Sequence, residues 1–260
     1  MNDTLTIERL YDLRLGAMAE AFREEMGRSG DPALGFAERF GLCVERQHAV
    51  REQNRLARRL KAAQLRMDAS VEEVDLRTPR CLEREVFLDL AELGFLMAAG
   101  NVIITGATGL GKTYLACALA DRALRRGHTA LYRRVPKLIF ELALARADGS
   151  YLKALEKIAK VDLLVLDDWG LAQIEGQAAN DIMDVVDDRS GRRSTIIAGQ
   201  LPISEWHHLI CDPTIADAVL DRLLQRATRI ELKGESMRRQ EPLSGGRLDL
   251  MPNTTSSLQE

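Results

Sequence analysis

Residues 106–113 read GATGLGKT, a complete G-x-x-x-x-G-K-S/T pattern placed between the apolar run NVIIT and the stretch YLACALADRAL. Gly106, Gly109 and Gly111 let the chain curl until its N–H groups converge on an anion, and a helix starting at Lys112 adds the positive end of its dipole. That arrangement binds phosphate. The backbone of Gly106, Ala107, Thr108, Gly109, Leu110 and Gly111 would cradle the β-phosphate and Lys112 would reach the β- and γ-phosphates. Thr113 would coordinate Mg²⁺, with Tyr114 as the next contact on the helix.

A metal at such a loop needs an acidic partner, and VDLLVLDDWG supplies one: an apolar strand closing on Asp167 and Asp168 at the C-terminal edge, where α/β sheets bind ligands. Asp167 is the metal-side candidate, and Asp168 would polarise an attacking water. Asp167 to Gly170 also fits the D-x-x-G switch of GTP-binding proteins. A guanine reader would add an N-K-x-D element, which the sequence lacks. ATP with Mg²⁺ is therefore the expected pair.

These residues need a parallel sheet to position them. Strands are predicted at 101–105, 129–133, 162–167, 194–198 and 228–232, with helices at 112–126, 135–147, 176–189, 203–209 and 214–227. Short apolar strands alternating with helices give an α/β fold, a parallel five-stranded sheet flanked by helices. Residues 1–71 read instead as a small all-helical domain, its second helix running from about Phe36 to Arg66. A linker is expected at 72–80, the ATPase domain at 81–240 and a disordered polar tail at 241–260.

Net charge is −3, so positive charge that could meet nucleic acid must be local. It is found at residues 46–66, where seven Lys or Arg stand against the single acid Glu52. On a helical wheel Arg51, Arg55, Arg58, Arg59 and Arg66 share one arc, and Leu56, Leu60, Ala63 and Met67 another. Three readings compete for the arginines: DNA phosphates, a protein partner, or a solvated face. Scattered cysteines, no export leader and no long apolar run point to the cytoplasm and away from a membrane. His207 and His208 diverge by a third of a helical turn without a third ligand, so no metal is expected there. Trp169 and Trp206 are expected in packing or at an interface, not as stacking platforms for bases.

The blocks RLYDLRLGAMAEAF, GATGLGKTYLACAL, LLVLDDWG, IIAGQLPISEWH and ADAVLDRLLQRATRIELKGESMRR, in this order, resemble the AAA+ ATPases. Within them the similarity is greatest to the IstB-like helper proteins of bacterial insertion sequences, relatives of the helicase loader DnaC. The resemblance implies an ATP-driven homo-oligomer, ring or helical filament, with ATP at subunit interfaces. It would bind duplex DNA and assist a transposase in target selection. It makes Arg222 the arginine finger, with Arg226 in reserve, and Arg238 a γ-phosphate contact. Gln200 would be the first-sensor residue, with Thr195 as the alternative. It also implies an extra helix between residues 136 and 160, from which Lys137, Arg146, Lys153 and Lys157 could face DNA, as could Arg133 and Arg134. A DnaC-like loader and a small-molecule kinase are the rival readings.

Overall fold

The structure, a computed structural model, describes residues 3–27 and 35–237. Helices α1 (Asp3–Asp12), α2 (Gly16–Gly27) and α3 (Phe36–Ala63) form the N-terminal part. They are followed by α4 (Arg84–Ala91), α5 (Gly94–Met97), β1 (Asn101–Gly106), α6 (Lys112–Arg125) and β2 (Ala130–Arg134). Next come α7 (Val135–Ala147), α8 (Tyr151–Lys160), β3 (Leu163–Trp169), α9 (Gln177–Arg189), β4 (Ser194–Gly199), α10 (Pro213–Leu224) and β5 (Ala227–Leu232).

All five expected strands form, pairing in parallel in the order β2-β3-β4-β1-β5. Because successive strand residues face opposite sides, the sheet feeds two cores. Val102, Ile104, Tyr132, Val165 and Ile196 join α6 and α4 on one side. Ile103, Leu131, Leu164, Leu166 and Ile197 join α7 to α10 on the other. Helix α6 is buried along most of its length, since Leu56, Leu60 and Leu65 from α3 and the turn after it cover the core it shares with the sheet. Helix α3 is thus anchored over the helix that begins at the phosphate loop.

Three expectations need correction. The long helix stops at Ala63, because Gln64 takes the left-handed conformation (φ 53°, ψ 43°), so it does not reach Arg66. Residues Ile203–Leu209 form a 3₁₀ turn opened by Pro202, not an α-helix. Helix α10 ends at Leu224 because strand pairing with β1 begins at Ala227. The block at 136–160 does hold two helices, α7 and α8.

Arg189 locks the floor of the sheet. It is 1% exposed and donates to the carbonyls of Ile158, Val161 and Ser194 and to Thr195 Oγ1. Burial pushes its pKa down to about 9. Thr195 is thereby engaged at the start of β4, the end opposite the phosphate loop, which removes it as a first-sensor residue.

The candidate nucleotide site

The loop between β1 and α6 closes under the segment that follows β5. A Cβ at Gly106 would run into the carbonyl oxygen of Leu232, and φ is 143° there, so glycine is required twice over. Met237 N–H donates to Gly109 O at 3.0 Å, and Lys233 N–H donates to Arg80 O at 3.0 Å, holding this segment on the loop. Lys112 is 9% exposed, and its ammonium donates to Gly106 O and Ala107 O at 2.7 and 2.8 Å. It therefore sits inside the curl of the loop.

Thr113 Oγ1 donates to Asp167 Oδ2 at 2.9 Å, joining the loop to the acid strand. The same carboxylate accepts from Tyr132 Oη at 2.6 Å and from Arg66 Nη1 at 3.4 Å. Burial and the Asp167 charge raise the Tyr132 pKa, which keeps its phenol a donor. Asp168 is ion-paired with Arg134 and lies 3.7 Å from Arg66. Its backbone is left-handed (φ 57°), and the β3–β4 register shifts between Leu166 and Trp169 at the same place. A bulge with a strained non-glycine residue re-aims the second carboxylate out of the strand alternation. Both acids thereby face the same space.

That space is a cavity of about 700 Å³ between the loop, the ends of β3 and β4, and residues 66–80. Gln200, just past β4, reaches it, as do Thr108 and Tyr114. One wall comes from the stretch expected as linker. Arg80 is 3% exposed and donates to Leu110 O and Asp75 O at 2.9 and 2.7 Å. Asp75 in turn is held down to about 2 by the Thr78 hydroxyl and by the amides of Arg77 and Thr78. Tyr114 Oη donates to Glu73 at 3.2 Å, a second tie between the loop helix and this wall.

The cavity sits at the C-terminal edge of a parallel sheet, closed by a lysine-bearing loop and a threonine-bonded acid strand. Residues 8–244 match the family described as IstB-like ATP binding protein. The chain belongs to the IstB-like ATP-binding proteins. A Sinorhizobium fredii protein described as an insertion sequence ATP-binding protein is 45% identical over 236 residues, covering 91% of this chain and 96% of its own. A Pseudomonas fluorescens relative of the same description is 44% identical over 200 residues, with coverage of 76% and 87%. Among solved structures, DnaI superposes with a TM-score of 0.56 at 24% identity, covering 64% of this chain and 91% of that one. DnaA from Aquifex aeolicus gives 0.54 at 18% identity, over 65% of this chain and 51% of that one. These two likenesses concern the fold alone, and the family is one of ATP-binding proteins.

In this IstB-like chain the other expected site residues that are described do not form one group. Arg222, on α10, pairs with Asp187 of α9 at 2.7 Å rather than with an acid of its own helix, and lies outside the cavity. Arg238 and the stretch 241–260 lie outside the described residues. Arg51 and Arg58 are exposed, Arg55 is 2.5 Å from Glu52, and Arg59 is half-buried. Arg66 leaves this row altogether, because the helix ends before it and the left-handed Gln64 turns it toward the acids. Arg146 is committed elsewhere too: it pairs with Asp181 at 2.6 Å and stacks on the Tyr151 ring at 3.6 Å, so it is removed from the DNA-facing set. Arg133 is 10% exposed and bonded to Glu141, whereas Lys137 is 63% exposed with Glu141 3.8 Å away.

Trp169 and Trp206 pack together in the core with ring centroids 5.3 Å apart. Among the described residues no group of three metal-binding side chains forms, and no helix is long and apolar enough to cross a membrane. Sequence reading missed Tyr132 and Arg80 as parts of the site. The signal for Tyr132 was its place near the end of the strand that pairs with the acid strand, facing the side on which α6 packs. Arg80, behind Pro79 in a polar stretch, carried none.

Proposed function

We propose that the chain is an ATP-dependent, self-associating, DNA-binding ATPase that assists the transposase of its own insertion element in selecting duplex target DNA, working in the cytoplasm. The observation that carries this reading is the Thr113–Asp167 hydrogen bond inside a cavity of nucleotide size. It stands in a chain whose relatives are described as insertion sequence ATP-binding proteins.

Lys112 exchanges the loop's own carbonyl oxygens for those of the β- and γ-phosphates, a swap that leaves its charge compensated. The Thr113 hydroxyl and the Asp167 carboxylate are hard oxygen donors at one point, the chemistry that suits Mg²⁺, and they would hold it. Bound there, Mg²⁺ supplies positive charge to the phosphate oxygens. Asp168 polarises the attacking water, and Gln200 orients it from the end of β4. Arg222, released from Asp187, completes a neighbouring subunit's site, and Arg238 meets the γ-phosphate. Assembly into a ring or filament and hydrolysis are thereby linked.

The helices of residues 1–71 act as the DNA- or partner-binding unit, joined through 72–80 to an ATPase unit at 81–240. Arg51, Arg55, Arg58 and Arg59, with Lys137 from α7, contact duplex phosphates, for which guanidinium forks are well shaped. The test is a strand-transfer assay with the transposase of the same element. Integration that rises with this protein and ATP, and not with ADP, is the expected result. Integration indifferent to the protein, with stable capture of a replicative helicase in its place, overturns the reading.

A further inference from the structure

Arg66 belongs by sequence to the basic run of α3 and by position to the acid pair. After Ala63 the left-handed Gln64 redirects the chain, Leu65 packs into the core shared with α6, and Arg66 enters the cavity wall. Its guanidinium lies 3.4 Å from Asp167 and 3.7 Å from Asp168, and its side chain is 41% exposed. Two arginines thus neutralise two carboxylates, and they differ in mounting. Arg134 is the register partner of Asp167 on the neighbouring strand and is fixed to the sheet. Arg66 is tethered to the N-terminal helices.

A dication, which Thr113 and Asp167 would hold with either nucleotide, would compete with Arg66 at Asp167 and leave the guanidinium only Asp168. The displaced guanidinium then needs another anion. The terminal phosphoryl group of a nucleoside triphosphate brings one into the same cavity, and a planar fork of donors matches it. A diphosphate brings no such group.

We propose that Arg66 senses the third phosphate within its own subunit. It stays beside Asp168 when that phosphate is absent and moves onto it when triphosphate is bound, so the end of α3 follows the nucleotide. Arg59, the last of the arginine row, stands one helical turn before Ala63, about 6 Å of rise, so the motion is delivered directly to the row. The inference rests on the reading of the phosphate loop as the ATP site.

The test uses the full chain and its Arg66→Ala and Arg66→Lys variants. Affinities for fluorescent ADP and for a slowly hydrolysed ATP analogue are measured with Mg²⁺, and hydrogen exchange is followed over residues 56–67 in each nucleotide. Arg66→Ala is expected to lose about tenfold of the preference for the ATP analogue with ADP affinity unchanged, the size of one charge-assisted contact. Arg66→Lys falls between, and the exchange difference between nucleotides, present in the unsubstituted protein, vanishes in Arg66→Ala. Equal changes for both nucleotides, or none, would reduce Arg66 to a counter-ion and overturn the proposal. An unsubstituted protein that binds neither nucleotide would sink the ATP-site reading itself, a separate failure.

Discussion

At the phosphate loop the cations are partnered inside the chain: Lys112 by two loop carbonyls, Arg80 by Leu110 and Asp75, Arg134 by Asp168. Along α3 the opposite holds, with Arg51 and Arg58 on an exposed face and Arg55 beside a single acid. The first region fixes geometry, so each group there is worth much and cannot be exchanged. The second offers summed charge, so each group is worth little and neighbours substitute for one another. Arg222 stands between the two, held at the surface by Asp187.

The largest effect that would test this contrast belongs to Arg222. Arg222→Ala is expected to bind ATP normally and to hydrolyse it about 10³-fold more slowly, since a guanidinium delivered in trans acts on the transition state. Steady-state turnover with a nucleotide-binding control checks it, and undiminished turnover would show that the surface arginine is merely an ion-pair partner. Next comes Lys112→Ala, for which nucleotide affinity should fall on the order of 100-fold, taking assembly with it. Calorimetric titration reads the loss, and normal ATP affinity would remove the distinction between built and open cations.

A smaller effect is expected on the open face. Arg51→Ala and Arg58→Ala together should lower the slope of log affinity for duplex DNA against log salt by about 2, near 0.9 for each phosphate no longer neutralised. An unchanged slope would leave the row as a solvated or protein-facing surface. Smallest is a pH effect in the wall of the cavity. Asp75 has a folded pKa lowered to about 2, below its unfolded value of about 4, so its contribution is complete above the latter and lost as pH falls through the former. Thermal unfolding of Asp75→Ala should therefore differ from the unsubstituted chain at pH 6 and converge with it near pH 2. A gap that persists at low pH would assign the effect to packing.

The sheet was readable because its signals are local: apolar runs of strand length, a glycine loop and an acid pair at a strand end. The same holds for Lys112, Thr113, Asp167 and Asp168, which lie on one side of the fold by topology alone. What escaped depends on distant chain segments. Nothing near Gln64 marks the left-handed residue that ends α3, so a regular wheel carried Arg66 to the wrong face. Arg146 read as a helix cation that could face DNA because its partners Asp181 and Tyr151 come from α9 and α8. Residues 72–80 read as linker because they lack periodicity, yet their turns wrap the phosphate loop through Arg80 and Asp75.

Sedimentation of the purified protein with a duplex of about 60 base pairs, several helical turns and so long enough to seat many phosphate contacts, compares ADP with a slowly hydrolysed ATP analogue at two salt concentrations. Large complexes that form with the ATP analogue, fail with ADP and shrink as salt rises are the predicted result, since they join the built site to the open face. A monomer indifferent to duplex DNA in both nucleotides would contradict the account at its centre.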